Sequence, residues 1–253
     1  MKIVIVGSGN VASVLGRKFK TAGHTILQIF SRNSSTGSAL AYELGCDSTN
    51  YKSMINKSAD VYIIAVADKA IVEIVQELHL QGKVVAHTAA SVPREILKKV
   101  TDHFGVFYPL QSLRSDMDTM SEIPIFFEGN DSISKLALKQ LAQSISPEKV
   151  VEANDDERLK LHVAAVVVNN FVTHLYSLVE EYCRKEGIDF KQLLPLIEET
   201  TSRLKEISPA KAQTGPAIRF DSETIHKHLE LLKEHPQLKN IYVLLTESIQ
   251  QTK

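Results

Sequence analysis

Residues 4–13 read VIVGSGNVAS, an apolar run followed by Gly7-x-Gly9-x-x-Ala12. That spacing suits a dinucleotide. Gly7 permits a tight turn, Gly9 lets the backbone approach a pyrophosphate, and Ala12 allows a helix to pack closely on the preceding strand. The turn from Gly7 through Ser8, Gly9, Asn10 and Val11 to Ala12 then offers free N–H groups and the positive end of a helix dipole to the phosphates. After the second apolar run the chain reads Ser31-Arg32-Asn33-Ser34-Ser35. NAD-binding chains usually carry Asp or Glu there, accepting from the ribose hydroxyls. No carboxylate stands in this stretch to repel a phosphate, and Arg32 offers a forked cation, which favours NADP. The other reading of Arg32 is a solvated turn residue. Two more strand ends should meet the cofactor: Ala65-Val66-Ala67 and His87-Thr88-Ala89. Their small residues leave room for a flat ring. His87 either donates a proton or holds a loop.

The candidate substrate side lies further along. An apolar helical stretch carries His162, Asn169, Asn170, Thr173 and His174. Spacings of seven and four would put His162, Asn169 and Thr173 on one face. Polar groups in such a helix either line a cleft or bond to one another in a core or dimer interface. In QTGPAIRFD, Thr214, Gly215 and Pro216 suggest a fixed turn and Asp221 a helix cap. Arg219 either grips a substrate carboxylate or pairs with Asp221 or a second subunit. Tyr108, Pro109, Gln111 and Ser112 follow another strand and are expected to floor the same cleft. Tyr108 is either a proton donor or a packed aromatic.

These residues need a frame. Through residue 150 the chain alternates short apolar runs (KIVIV, TILQIF, DVYIIAVA, KVVAHT, GVFYPL, IPIFFEG) with amphipathic segments such as 10–22 and 69–78. Runs without alternation fit buried strands of a parallel sheet. The pattern predicts an α/β, Rossmann-like, doubly wound and mostly parallel sheet. A helix over 132–144 and an edge strand, KVVEA, close it. From Asn154, a plausible N-cap ahead of acidic residues, one helix runs to about Lys185, with Gly187 as its stop. Helices over about 190–206, 222–233 and 237–250 follow. The expected division is a nucleotide-binding domain over 1–153 and an all-α substrate and dimerisation domain over 154–253.

The fragments GSGNVASVLGRKFKTAGHTILQIFSRN, HTAAS, GVFYPLQSL and QTGPAIRFD together resemble a bacterial family of Rossmann-like NADP oxidoreductases with a helical C-terminal domain of unknown function. TGPAIRFD is the most specific of them, and the resemblance spans essentially the whole chain. The family is similar to the deazaflavin-dependent NADP reductases. More distantly, the layout is like pyrroline-5-carboxylate reductase, ketopantoate reductase, prephenate dehydrogenase and the hydroxyacid dehydrogenases. The resemblance implies a substrate held between the two domains. It also exposes a departure. The hydroxyacid dehydrogenases place a lysine one turn before an asparagine, whereas Ala165 and Val166 precede Asn169 and Asn170 here, with Lys160 elsewhere on the helix. The usual lysine acid is absent, which leaves room for an imine, already electrophilic when protonated, or an unusual carbonyl.

Composition sets limits. The 253 residues hold 29 Lys and Arg against 30 Asp and Glu, with no basic excess to advertise nucleic acid or an anionic membrane. Two cysteines without metal spacing fit a reducing cytoplasm and no metal site. The longest apolar run, 163–168, is short of a membrane span. The expectation is a cytoplasmic homodimer, joined through its helical domain, that passes hydride between NADP and a small, anionic substrate, with His162 or His87 as the acid. The alternative is a non-catalytic NADP-binding regulator.

Overall fold

The computed structural model describes residues 1–116 and 122–252. The strands are β1 (Lys2–Val6), β2 (Thr25–Phe30), β3 (Asp47–Thr49), β4 (Val61–Ile64), β5 (Val84–His87), β6 (His103–Pro109), β7 (Ile125–Gly129) and β8 (Val150–Glu152). They form one sheet in the order β3-β2-β1-β4-β5-β6-β7-β8. All pairings are parallel except β6 with β7. The doubly wound, mostly parallel sheet is therefore as the sequence predicts. The order reverses between β1 and β4, and the carboxyl ends of strands at such a switch point form a crevice.

One face of the sheet packs Ile3, Ile5, Ile63, Ala86 and Phe107 against α1 (Asn10–Thr21), α2 (Ser34–Leu44) and α4 (Ser132–Ile145). The other packs Val4, Val6, Tyr62, Ile64 and Val85 under α3 (Asp68–Val75) and a 3₁₀ turn, Arg94–Lys99. A third cluster, Ala90, Val106, Tyr108, Phe126 and Ala153, takes Leu161 of α5 (Asp155–Ala165). α5 starts as expected. Asn154 accepts from the Glu157 N–H while Glu157 accepts from the Asn154 N–H, a capping box ahead of three acidic residues.

By their contacts the residues divide into Met1–Val166 and Val167–Lys253. The second unit comprises α6 (Val172–Lys185), α7 (Leu194–Arg203), α8 (Pro209–Ala212), α9 (Ser222–Leu231) and α10 (Pro236–Gln251). Gly187, at φ 72°, follows the end of α6, and Asp221 caps α9 by accepting from Thr224. Helical bonding runs from Asp155 to Lys185, but Val166–Phe171 is a π-turn. A π-turn inserts about one residue into the helical register, a rotation of about 100°. That turn lies between His162 and Thr173, so the seven residues from His162 to Asn169 are no longer two whole α-turns, while Thr173 still bonds back to Asn169 four residues earlier. Over 18 residues this helix reaches a mean hydropathy of 1.3, enough in length and composition to cross a membrane, and 6% of that window is buried.

Candidate functional site

A groove of about 450 Å³ lies at the carboxyl ends of β1, β2 and β4. Gly7, Ser8, Gly9, Asn10 and Val11 line it, with Ser31, Arg32, Asn33, Ala65, Val66 and Ala67. Phe30 and Ile74 also line it and were not anticipated; both are apolar residues whose periodicity reads as core. The glycines have different work. Gly7 sits at φ 129°, and a Cβ there would lie 2.1 Å from the Ala65 carbonyl oxygen. Its N–H donates to the Phe30 carbonyl at 2.8 Å, so the turn is tied to β2 while pressed against β4. Gly9 has ordinary extended backbone (φ −85°, ψ −172°), and a Cβ there would meet nothing within 4 Å. What Gly9 leaves empty is the groove itself.

Gly9 is the N-cap of α1 and supplies no side-chain cap, the first turn holds no acid, and Lys18 and Lys20 sit in the last turn. The helix start thus keeps N–H donors and a favourable dipole for an anion. The Ser8 hydroxyl bonds both Ser31 and Thr36 at 2.8 Å, joining the glycine turn to the end of β2 and the start of α2. Asn10 accepts from the Ser115 N–H at 3.0 Å, which anchors the loop after β6. An open glycine, an uncapped helix and a ring of hydroxyls fit a pyrophosphate. Ala12 is buried in α1, where it allows close packing on the sheet.

The stretch after β2 contains no carboxylate, but α3 brings one to Arg32 from outside it: Glu73 Oε2 lies 2.9 Å from Arg32 Nη1. The two residues are 41 apart, so the pairing arises only when α3 folds beside β2.

Past the groove, β5 ends at His87. Its side chain is fully buried, Nδ1 accepts from the Ala89 N–H at 3.2 Å, and Nε2 is buried without a hydrogen-bond partner among the described residues. Burial, helped by the Arg158 charge, pushes its pKa down to about 4. His87 is neutral near pH 7, in the arrangement of a histidine that holds a loop. Thr88 and Ala89 are buried beside it, and the Thr88 N–H donates to the Ile64 carbonyl.

Tyr108, near the end of β6, meets α5. Its hydroxyl lies 3.1 Å from His162 Nδ1, with the rings edge-to-face at 6.1 Å. Burial raises the phenol pKa, with Arg158 pulling it down and Asp68 pushing it up. Pro109 is buried, whereas Gln111 and Ser112 are exposed in the loop that follows.

One turn before His162 stands Arg158, 1% exposed. Its Nε donates to the Ala90 carbonyl (3.2 Å) and its Nη2 to Val92 (3.1 Å) and to the Asp155 carboxylate. Nη1 sits 3.6 Å from Glu128 Oε2, beyond hydrogen-bond reach, while Arg94 holds Oε1 at 2.7 Å. Burial raises the Glu128 pKa against the pull of both arginines. This buried cluster straps α5 to the loop after β5. The sequence reading missed it because its members are scattered over 94–158, each resembling a surface charge.

The remaining substrate-side residues lie in the second unit. Thr173 Oγ1 donates to the Asn169 carbonyl at 2.8 Å, Asn169 is half-buried, and Thr214 is exposed. Gly215 has φ 108°, Phe220 φ 56°, and Arg219 is exposed. The Asp221 pKa is lowered first by the Thr224 N–H and only to a lesser degree by Arg219. Among the described residues, no group of three or more His, Cys, Asp or Glu is placed to hold a metal.

Residues 123–249 match a family model described as a domain of unknown function, DUF2520, and residues 2–91 match NADP oxidoreductase, coenzyme F420-dependent. No curated protein matches the chain. Among solved structures, a "putative NADP oxidoreductase" from Bacteroides fragilis is 35% identical, covering 99% of this chain and 98% of its own, with a TM-score of 0.92. Two others, each 15% identical, share the fold. A reductive aminase from Aspergillus terreus, in complex with NADPH and ethyl-5-oxohexanoate, has a TM-score of 0.74 over 99% of this chain and 92% of that one. A 1-pyrroline-5-carboxylate reductase from Streptococcus pyogenes has 0.65 over 99% and 98%. A groove suited to a dinucleotide and a match along nearly the whole chain lead to one conclusion: the protein belongs to this family of NADP oxidoreductases, in which an F420-type NADP oxidoreductase domain is joined to a DUF2520 region.

Proposed function

We propose that the protein reduces a small, anionic imine or carbonyl compound at the carboxyl ends of β5 and β6, with Tyr108 and His162 as the source of the proton. The observation that carries this reading is the 3.1 Å bond between the Tyr108 hydroxyl and His162 Nδ1, at the same sheet edge as the groove. NADPH, when bound, supplies the hydride. Burial keeps the Tyr108 phenol protonated, so it can donate to a developing alkoxide or amine, and His162 can return a proton to the phenolate. Arg158 positions both by fixing α5 and the Ala90–Val92 carbonyls. Gly7 to Val11 hold the pyrophosphate, and Arg32 with the start of α2 holds the 2′-phosphate. Arg219 is assigned as the anchor for a substrate carboxylate, and Asn169 and Thr173 as substrate contacts. A protonated imine needs less proton transfer than a ketone. That suits a site without the lysine acid, and imine chemistry is also that of the reductive aminase and pyrroline-5-carboxylate reductase neighbours.

The test is NADPH absorbance with a panel of cyclic imines, 2-keto acids and a deazaflavin. Tyr108→Phe should cut kcat for a carbonyl substrate by about 10²-fold or more, and for a preformed iminium by less. Full activity in both Tyr108→Phe and His162→Gln contradicts the assignment. Tight NADPH binding with no turnover across the panel favours the regulator.

We also infer a homodimer through the helical unit. Val168, Phe171, Leu196, Leu231 and Leu244 are each more than half exposed, a large apolar area for a monomer to leave in water. A second copy suits this surface better than lipid, because Asn169, Asn170, Thr173 and His174 interrupt the apolar helix at its middle.

A further inference from the structure

We propose that Glu73 tunes cofactor preference and release by competing with the 2′-phosphate for Arg32. The proposal rests on the reading that Arg32 contacts that phosphate. Arg32 lines the groove, and Glu73 precedes Ile74, which lines it too. Arg32 Nη1 meets Glu73 Oε2 at 2.9 Å, with the two side chains 64% and 65% exposed. An ion pair so open to water is weak and reopens readily. A phosphate monoester carries about two negative charges near neutral pH and can take a guanidinium in a forked grip, so it displaces a single carboxylate. Glu73 then stands unpaired beside a second anion. Binding of NADP(H) pays for that exchange and for the repulsion, and on departure Glu73 recaptures Arg32. NAD(H) carries ribose hydroxyls in place of the phosphate, and a carboxylate there is an acceptor for them. Glu73 thus narrows the preference that Arg32 creates and speeds cofactor release.

The experiment is fluorescence titration of the full chain with NADPH and NADH, plus stopped-flow dissociation of NADPH, for wild type, Glu73→Gln, Arg32→Ala and the double variant. Thermal midpoints confirm folding, which these exposed positions leave intact. Glu73→Gln should bind NADPH about threefold to tenfold more tightly and release it more slowly, without tightening NADH. The gain should shrink in the Arg32→Ala background. Unchanged or weaker NADPH binding in Glu73→Gln, with Arg32→Ala still weakening it tenfold or more, overturns the competition alone. Unchanged NADPH binding in Arg32→Ala overturns the phosphate assignment and the competition with it.

Discussion

The two units of the chain bury apolar surface very differently. In Met1–Val166 the strands that carry the groove are sealed, with Val4, Ile5, Ile63, Ile64 and Val85 at about zero exposure. Among the described residues of Val167–Lys253 the buried apolar ones are Leu178, Cys183, Ala217 and Leu232, while Val168 and Phe171 stand 71% and 59% exposed. A sheet covered on two faces builds a core from one chain, whereas a short set of amphipathic helices leaves faces that need another surface. The first unit can therefore hold a cofactor rigidly, and the second is suited to association.

The largest expected effect falls in the sealed unit. Gly7→Ala combines a positive φ with a collision on the Ala65 carbonyl, and neither partner is a flexible side-chain tip. It should cost about 3 kcal/mol or more, or prevent soluble expression, as read by denaturant unfolding. A variant as stable as wild type would show that the turn has room the structure denies.

His87 gives the next effect. In the unfolded chain it takes its proton near pH 6.5, but in the folded chain only near 4. The unfolded state therefore gains protons first as pH falls, and stability present above 6.5 is lost between about 6.5 and 4. Up to about 3 kcal/mol is at stake. Unfolding of wild type and His87→Gln across that range should show a flatter slope in the variant. Parallel slopes would remove His87 from acid sensitivity.

Smaller again is the change at the open surface. Val168→Lys should weaken the proposed dimer about a hundredfold while leaving the first unit folded. Light scattering shows it directly. A monomeric wild type at micromolar concentration sinks the dimer.

The same contrast explains what the sequence made legible. The strands, the glycine turn and the Asn154 and Asp221 caps depend on residues close in the chain, where period and spacing carry the signal. The partners that refine the site are distant ones. Glu73 reaches Arg32 across 41 residues, and Glu128 meets Arg94 and Arg158 only after β7 and α5 have packed. The strand β3 has three residues, with Asp47, Ser48 and Thr49 giving no apolar run to read. The π-turn at Val166–Phe171 lies in VVVNNF, a run with no glycine or proline to mark it in the sequence.

We propose that the turn from Gly7 to Val11 holds the pyrophosphate of NADP. Gly9→Ala tests it most directly, since a methyl group there meets no protein atom within 4 Å and enters only the groove. Calorimetric titration with NADPH should show affinity lost by about a hundredfold, with an unchanged thermal midpoint in the absence of cofactor. NADPH binding as tight as in wild type would rule out a pyrophosphate at this turn.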